Sequence, residues 1–114
     1  MIMGAKPAEG ELIQGTLEML ILKALRRGPL HGYGVAEWIE LTSQQVLKVE
    51  EGALYPALHR MELRGFIKAK WGISDNNRRA KFYELTLEGQ KRLDAETQRW
   101  ARLSSAVAFV MQAS

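Results

Sequence analysis

Apolar positions first fall into helical period at Leu17, Leu20, Ile21, Ala24 and Leu25, a single stripe over roughly two to three turns. Thr16 ahead of the stripe suits an N-cap, Arg26 and Arg27 complement the negative end of the helix dipole, and Gly28-Pro29 stops the helix. A second helix is predicted from His31-Gly32 to about Thr42, with Val35, Trp38 and Ile39 inward and Leu41 as a further inward position. Ser43–Glu50 is polar with Val46, Leu47 and Val49 interspersed, a pattern that suits a turn and a very short strand. The third helix runs from near Gly52 to Gly65 on a stripe of Leu54, Leu58 and Met61, with Leu63 at its edge. Pro56 requires this helix to begin within about four residues before it, where backbone N–H groups have no helical partner.

Past Gly65 the period changes to two. Phe66-Ile67-Lys68-Ala69-Lys70-Trp71 places both lysines on one face of a strand and Ile67, Ala69 and Trp71 on the other. Gly72–Arg79 is rich in turn residues and Ala80–Leu85 returns, so the segment is a hairpin with a basic tip. Thr86 and Glu88 then open a long helix in which Leu93, Trp100 and Val107 recur at heptad spacing, with Leu103 and Val110 between them. A helix of about 25 residues is about 37 Å long. That outruns so small a core, and the surplus apolar stripe calls for a partner.

Composition leaves this picture as one ordinary globular domain, 46% hydrophobic and 25% charged. The absence of cysteine removes a disulfide framework, a thiolate zinc site and a cysteine nucleophile together, and it fits a reducing cytosol. No apolar run approaches the roughly 20 residues of a membrane span. Residues 1–11, with Lys6 and no apolar h-region, read as a flexible tail rather than a signal peptide. Charge changes the picture more. Between His59 and Lys81, seven cations (Arg60, Arg64, Lys68, Lys70, Arg78, Arg79, Lys81) face only Glu62 and Asp75, on a chain whose net charge is +3. A local positive field of this kind is the footprint of a polyanion binder.

Helix–turn–helix followed by a β-hairpin is the winged-helix arrangement. The predicted class is therefore α+β, mainly α. Three helices and a hairpin wing form a DNA-binding domain over residues 12–85, and a C-terminal dimerisation helix covers 86–114.

Three segments in register carry a more specific likeness. They are Leu30-His31-Gly32-Tyr33-Gly34, then Glu51-Gly52-Ala53-Leu54-Tyr55-Pro56-Ala57-Leu58-His59-Arg60-Met61-Glu62-Leu63-Arg64-Gly65-Phe66-Ile67, then Phe82-Tyr83-Glu84-Leu85-Thr86-Leu87-Glu88-Gly89-Gln90-Lys91-Arg92-Leu93. With them the chain, over roughly residues 12 to 93, resembles the PadR family of bacterial winged-helix transcriptional regulators. With a single helix after the wing it resembles the short members of that family. The resemblance implies a homodimer held by the last helix with help from the first, a cytoplasmic, nucleoid-associated repressor, and for some relatives a small aromatic effector.

Under that resemblance the third helix enters the major groove and the basic wing lies on the adjacent minor groove or backbone. Tyr55 would donate to a phosphate, and His59 and Arg60 would reach bases or phosphates. Arg78 and Arg79 would enter a minor groove, and Lys68, Lys70 and Lys81 would hold phosphates. His31 and Tyr33 would touch the backbone at the start of the second helix, His31 having as its alternative a role in shaping the tight turn beside Gly32. Leu17, Leu93, Trp100, Leu103, Val107 and Val110 would form the dimer interface, with Trp100 also placed to stack on an effector. The operator would be an inverted repeat. A winged-helix adaptor without DNA binding is the alternative reading, against which the basic strip counts. An enzyme, a metal or a cofactor is not expected: there is no phosphate-loop pattern, no metal-spaced cluster, and only His31 and His59 as histidines.

Overall fold

The computed structural model describes residues 5–114. Its elements run α1 (Ala5–Leu25), β1 (Leu30–His31), α2 (Gly32–Thr42), α3 (Glu51–Leu63), β2 (Ile67–Ile73), β3 (Arg79–Leu85) and α4 (Leu87–Gln112). The three strands form one antiparallel sheet in the order β1-β3-β2, with Leu30 opposite Tyr83 and Ile67 opposite Leu85. This is the expected mainly helical winged helix-turn-helix with a long C-terminal helix.

The helical stripes meet in one core. Leu17, Ile21 and Leu25 of α1, Val35 and Ile39 of α2, and Leu54, Leu58 and Met61 of α3 are all buried there, and Ile67 and Tyr83 close it from the sheet. Each leucine or isoleucine so buried contributes about 1.5–3 kcal/mol relative to exposure. Gly28, at φ 147, turns the chain out of α1 as its sequence suggests. His31 caps α2: its Nδ1 accepts the Gly34 N–H at 3.0 Å.

Several expectations need correction. Helix α1 begins at Ala5, so Thr16 lies inside it and the residues 5–11 of the expected tail are helical; residues 1–4 of that tail lie outside the described residues. Pro7 sits in the first turn, where its missing N–H costs nothing, and Gly10 and Gly15 hid the helix by their low propensity. Pro56 lies five residues past Glu51 rather than four or fewer, so it withholds a hydrogen bond from the exposed Gly52 one turn back. The short strand is Leu30–His31, not part of Ser43–Glu50. That loop is tied by side chains instead: Ser43 Oγ accepts the Leu47 N–H and Glu40 Oε2 accepts the Val49 N–H. Leu41 is exposed because α2 ends against this loop rather than under it.

Helix α3, the wing and α4 are joined at one point. The Gly65 N–H bonds the Glu62 carbonyl and the Phe66 N–H bonds the Met61 carbonyl, with Gly65 at φ 83, so α3 ends in a Schellman motif. The Phe66 carbonyl then accepts the Thr86 N–H at 3.1 Å. The Thr86 hydroxyl donates to the Gly65 carbonyl at 2.6 Å, with the Phe66 carbonyl 3.0 Å away, and accepts the Gly89 N–H as the N-cap of α4. Gly89 is buried directly against the Phe66 carbonyl, where a Cβ would collide with the backbone oxygen.

Only Gly89 and Leu93 of α4 are buried, and the helix then leaves the domain. The radius of gyration is accordingly 15.6 Å, against about 13 Å for a compact domain of this length. Gly89→Ala is expected to cost about 3 kcal/mol in denaturant unfolding, since backbone rather than a flexible side chain must yield. A loss under about 0.5 kcal/mol would show that α4 is not docked this closely.

Candidate nucleic-acid interface

One face of the hairpin carries Ile67, Ala69, Trp71 and Ile73 on β2 and Leu85, Tyr83, Lys81 and Arg79 on β3. Its inner end is core. Its outer end is not: Trp71 and Ile73 are exposed. Lys81 reaches across to Glu62 of α3 at 3.4 Å and lies 5.8 Å over the Tyr83 ring, so this face of the wing turns toward α3. Burial pushes the Tyr83 phenol above its usual range, with Lys81 opposing the shift, so the ring stays neutral near neutral pH.

Tyr55 approaches from the opposite side. Its ring covers Gly32 at the start of α2, where an added Cβ would meet Tyr55 Cε1 at 2.8 Å and the hydroxyl at 2.9 Å. Glycine at position 32 is thus what lets the tyrosine lie flat across the α2–α3 corner. The His31 ring packs edge-on against Phe82, with its centroid 5.3 Å away. Between corner and wing lies an open hollow of about 330 Å³. It is lined by His31, Tyr33, Tyr55, Trp71, Arg78, Arg79 and Lys81 among others, and by no carboxylate among the described residues.

The wing tip is ordered by its own bonds. The Ser74 N–H donates to the Arg78 carbonyl and the Asn77 N–H to the Ser74 carbonyl, both at 2.8 Å. Asn77 sits at φ 60, a conformation asparagine tolerates. Arg79 folds back so that its guanidinium lies 4.6 Å over the Trp71 ring.

Six of the ten expected contact residues therefore share one hollow: His31, Tyr33, Tyr55, Arg78, Arg79 and Lys81. The other four do not line it. Lys68 and Lys70 lie on the opposite face of the hairpin, Lys68 facing Glu84 at 3.9 Å. His59 is exposed on α3, one turn beyond Tyr55. Arg60 is turned toward α1, where its Nη2 and Nε meet Glu18 Oε2 at 3.2 and 3.4 Å. Among the lining residues that sequence reasoning did not name as contacts is Trp71; its place on the Ile67–Ala69 face was legible, but not that this face outruns the core.

A second, shallow groove of about 520 Å³ runs between α1 and α4. Trp100 and Leu103 line it with Met19, Glu18, Arg60, Arg92 and Arg99. Leu103, Val107 and Val110 are exposed along α4, as are Phe109 and Met111. Leu17 and Leu93, expected in the seam between chains, are 1% and 2% exposed within one chain and have no surface left to give a partner. Both belong to the hydrophobic core of the single chain. Among the described residues there is no group of acidic, histidine or cysteine side chains suited to a metal, and no helix is long and apolar enough to cross a membrane.

Residues 21–95 match the transcriptional regulator PadR-like family. The fold is similar to that of a PadR-like transcriptional regulator from Bacillus cereus, at 26% identity and a TM-score of 0.78 over 91% of this chain and 99% of that one. A transcriptional regulator from Clostridium thermocellum is similar to the same degree, 26% identical with a TM-score of 0.78 over 86% of this chain and 95% of that one. The negative transcriptional regulator PadR of Bacillus subtilis is 30% identical over 78 residues, 68% of this chain. That match spans 43% of the Bacillus subtilis protein, less than half its length.

The Arg60–Glu18 pair is half-buried, 38% and 23% exposed, and should couple α3 to α1. A double-mutant cycle with Arg60→Met and Glu18→Gln is expected to give a coupling of about 0.5–1 kcal/mol in urea unfolding. A coupling near zero would mean that Arg60 is free in solution.

Proposed function

The chain belongs to the PadR-like family of transcriptional regulators, and we propose on that basis that it binds duplex DNA as a homodimer and represses transcription. The observation that carries this reading is the hollow between the α2–α3 corner and the wing, which gathers the cations Arg78, Arg79 and Lys81 with Tyr33, Tyr55 and His31 and, among the described residues, no carboxylate. Such a surface suits a phosphate backbone, because cations supply the attraction and hydroxyls supply directed donors.

In this reading the exposed side of α3 enters the major groove with His59 facing the bases, and Tyr55, Tyr33 and Lys81 hold the flanking phosphates. Arg78 and Arg79 reach the adjacent minor groove or backbone from the wing, while Lys68 and Lys70 add general attraction from its outer face. Residues 12–85 act as the DNA-binding domain and 86–114 as the dimerisation helix. The exposed Trp100, Leu103, Val107 and Val110 on α4 support a dimer. A two-fold dimer would read an inverted repeat with half-sites about one helical turn apart. Repression is supported by the name of the Bacillus subtilis relative. The groove beside Trp100 is where a small aromatic effector would stack, with Met19 and Leu103 as apolar walls. The place of action is then the cytoplasm, on the nucleoid.

Affinity for duplex DNA should fall by a factor of about 10³ or more between low and moderate salt, and Arg78→Ala and Lys81→Ala should each flatten that dependence by about one unit of slope per protomer. Affinity that is absent, or indifferent to salt, would favour an adaptor instead. Leu103→Glu should halve the mass seen by light scattering; an unchanged mass would remove α4 from the interface.

A further inference from the structure

We propose that Trp71 is a positioning residue of the wing: its indole face holds the Arg79 guanidinium at the rim of the hollow, charged and ready for a DNA phosphate. The inference rests on the DNA-binding reading above.

The cations of the basic segment are held in two different ways. Arg60 is paired with Glu18, Lys81 with Glu62, and Lys68 with Glu84. A carboxylate fixes such a side chain but also offsets part of its charge and competes with a phosphate for its N–H groups. Arg79 has no carboxylate partner among the described residues, and is fixed instead by a neutral ring 4.6 Å away. A π face orients a guanidinium without cancelling its charge, and leaves its N–H edge free to fork onto a phosphate.

The strand register builds the pair. Trp71 opposes Lys81 and Ile73 opposes Arg79, so Trp71 and Arg79 are diagonal neighbours on the face that turns toward α3. Core packing does not account for the tryptophan. Ile67 and Ala69 supply that face's contact with the core, and Trp71 stays 57% exposed even with Arg79 over it. An arginine restrained before binding loses less freedom on contact, which raises affinity without adding a contact.

The test is a binding titration of a mixed-sequence DNA duplex at several salt concentrations, using the full chain. Trp71→Ala should weaken binding about three- to five-fold. It should also flatten the salt dependence by about one unit per protomer although no charge is removed, because Arg79 no longer displaces a counterion. Arg79→Ala should do the same, the double variant should be no worse than Arg79→Ala alone, and Trp71→Phe, which keeps a π face, should recover most of the loss. A Trp71→Ala protein with native affinity and slope, or losses that add in the double variant, would overturn the positioning role while leaving DNA binding in place. A native chain without salt-sensitive affinity would overturn both.

Discussion

The Phe66 carbonyl is the point on which this fold turns. It accepts the Thr86 N–H, lies within reach of the Thr86 hydroxyl, and rests on the bare backbone of Gly89. Phe66 also closes the Schellman turn that ends α3 and leads directly into β2. The end of α3, the start of the wing and the start of α4 are thereby fixed to one peptide group. Arg64 and Arg92 guanidinia lie 5.4 and 5.3 Å from the Phe66 ring and brace the same residue from the two helices it joins. In the proposed dimer, a projecting helix could set the spacing of two copies only if its own angle were set, and this contact sets that angle. Whatever shifts α4 must also shift the first residue of the wing.

The charge pattern resolves on the same scaffold. The basic segment looks uniform in sequence, yet the fold divides it between paired and unpaired groups. Arg60 faces α1, Lys68 faces Glu84, and Lys81 is shared with Glu62 while still lining the hollow. Arg78 and Arg79 have no carboxylate partner among the described residues and sit at an ordered wing tip. The surface offered to a polyanion is therefore smaller and better defined than the run of cations suggests.

Most of the architecture was legible because its signals are local. The α2 and α3 stripes, the alternation of β2, the Thr86 cap and the glycine stops each depend on a few neighbouring residues. What was not legible depends on tertiary context. Two glycines concealed the first half of α1. The pairing of Leu30–His31 with β3 requires the wing to be folded already. Leu93 keeps heptad spacing with Trp100, and spacing alone cannot reveal that one packs inside the chain and the other outside it. Arg60 is one residue from His59, yet one helical step of about 100° turns it from the exposed side of α3 to the α1 groove. Trp71 alternates with the core residues of its strand, and only the length of the hairpin relative to the core shows that it lies beyond them.

In the proposed complex a two-fold pair of these domains, set by α4, places two cationic hollows and two α3 helices on one face of duplex DNA. Hydroxyl-radical footprinting of the protein on a DNA fragment selected for binding measures this most directly. A two-fold dimer on DNA should give two protected patches of backbone related by two-fold symmetry, their centres about 34–36 Å apart along the helix. A single patch, or protection with no regular spacing, would contradict it.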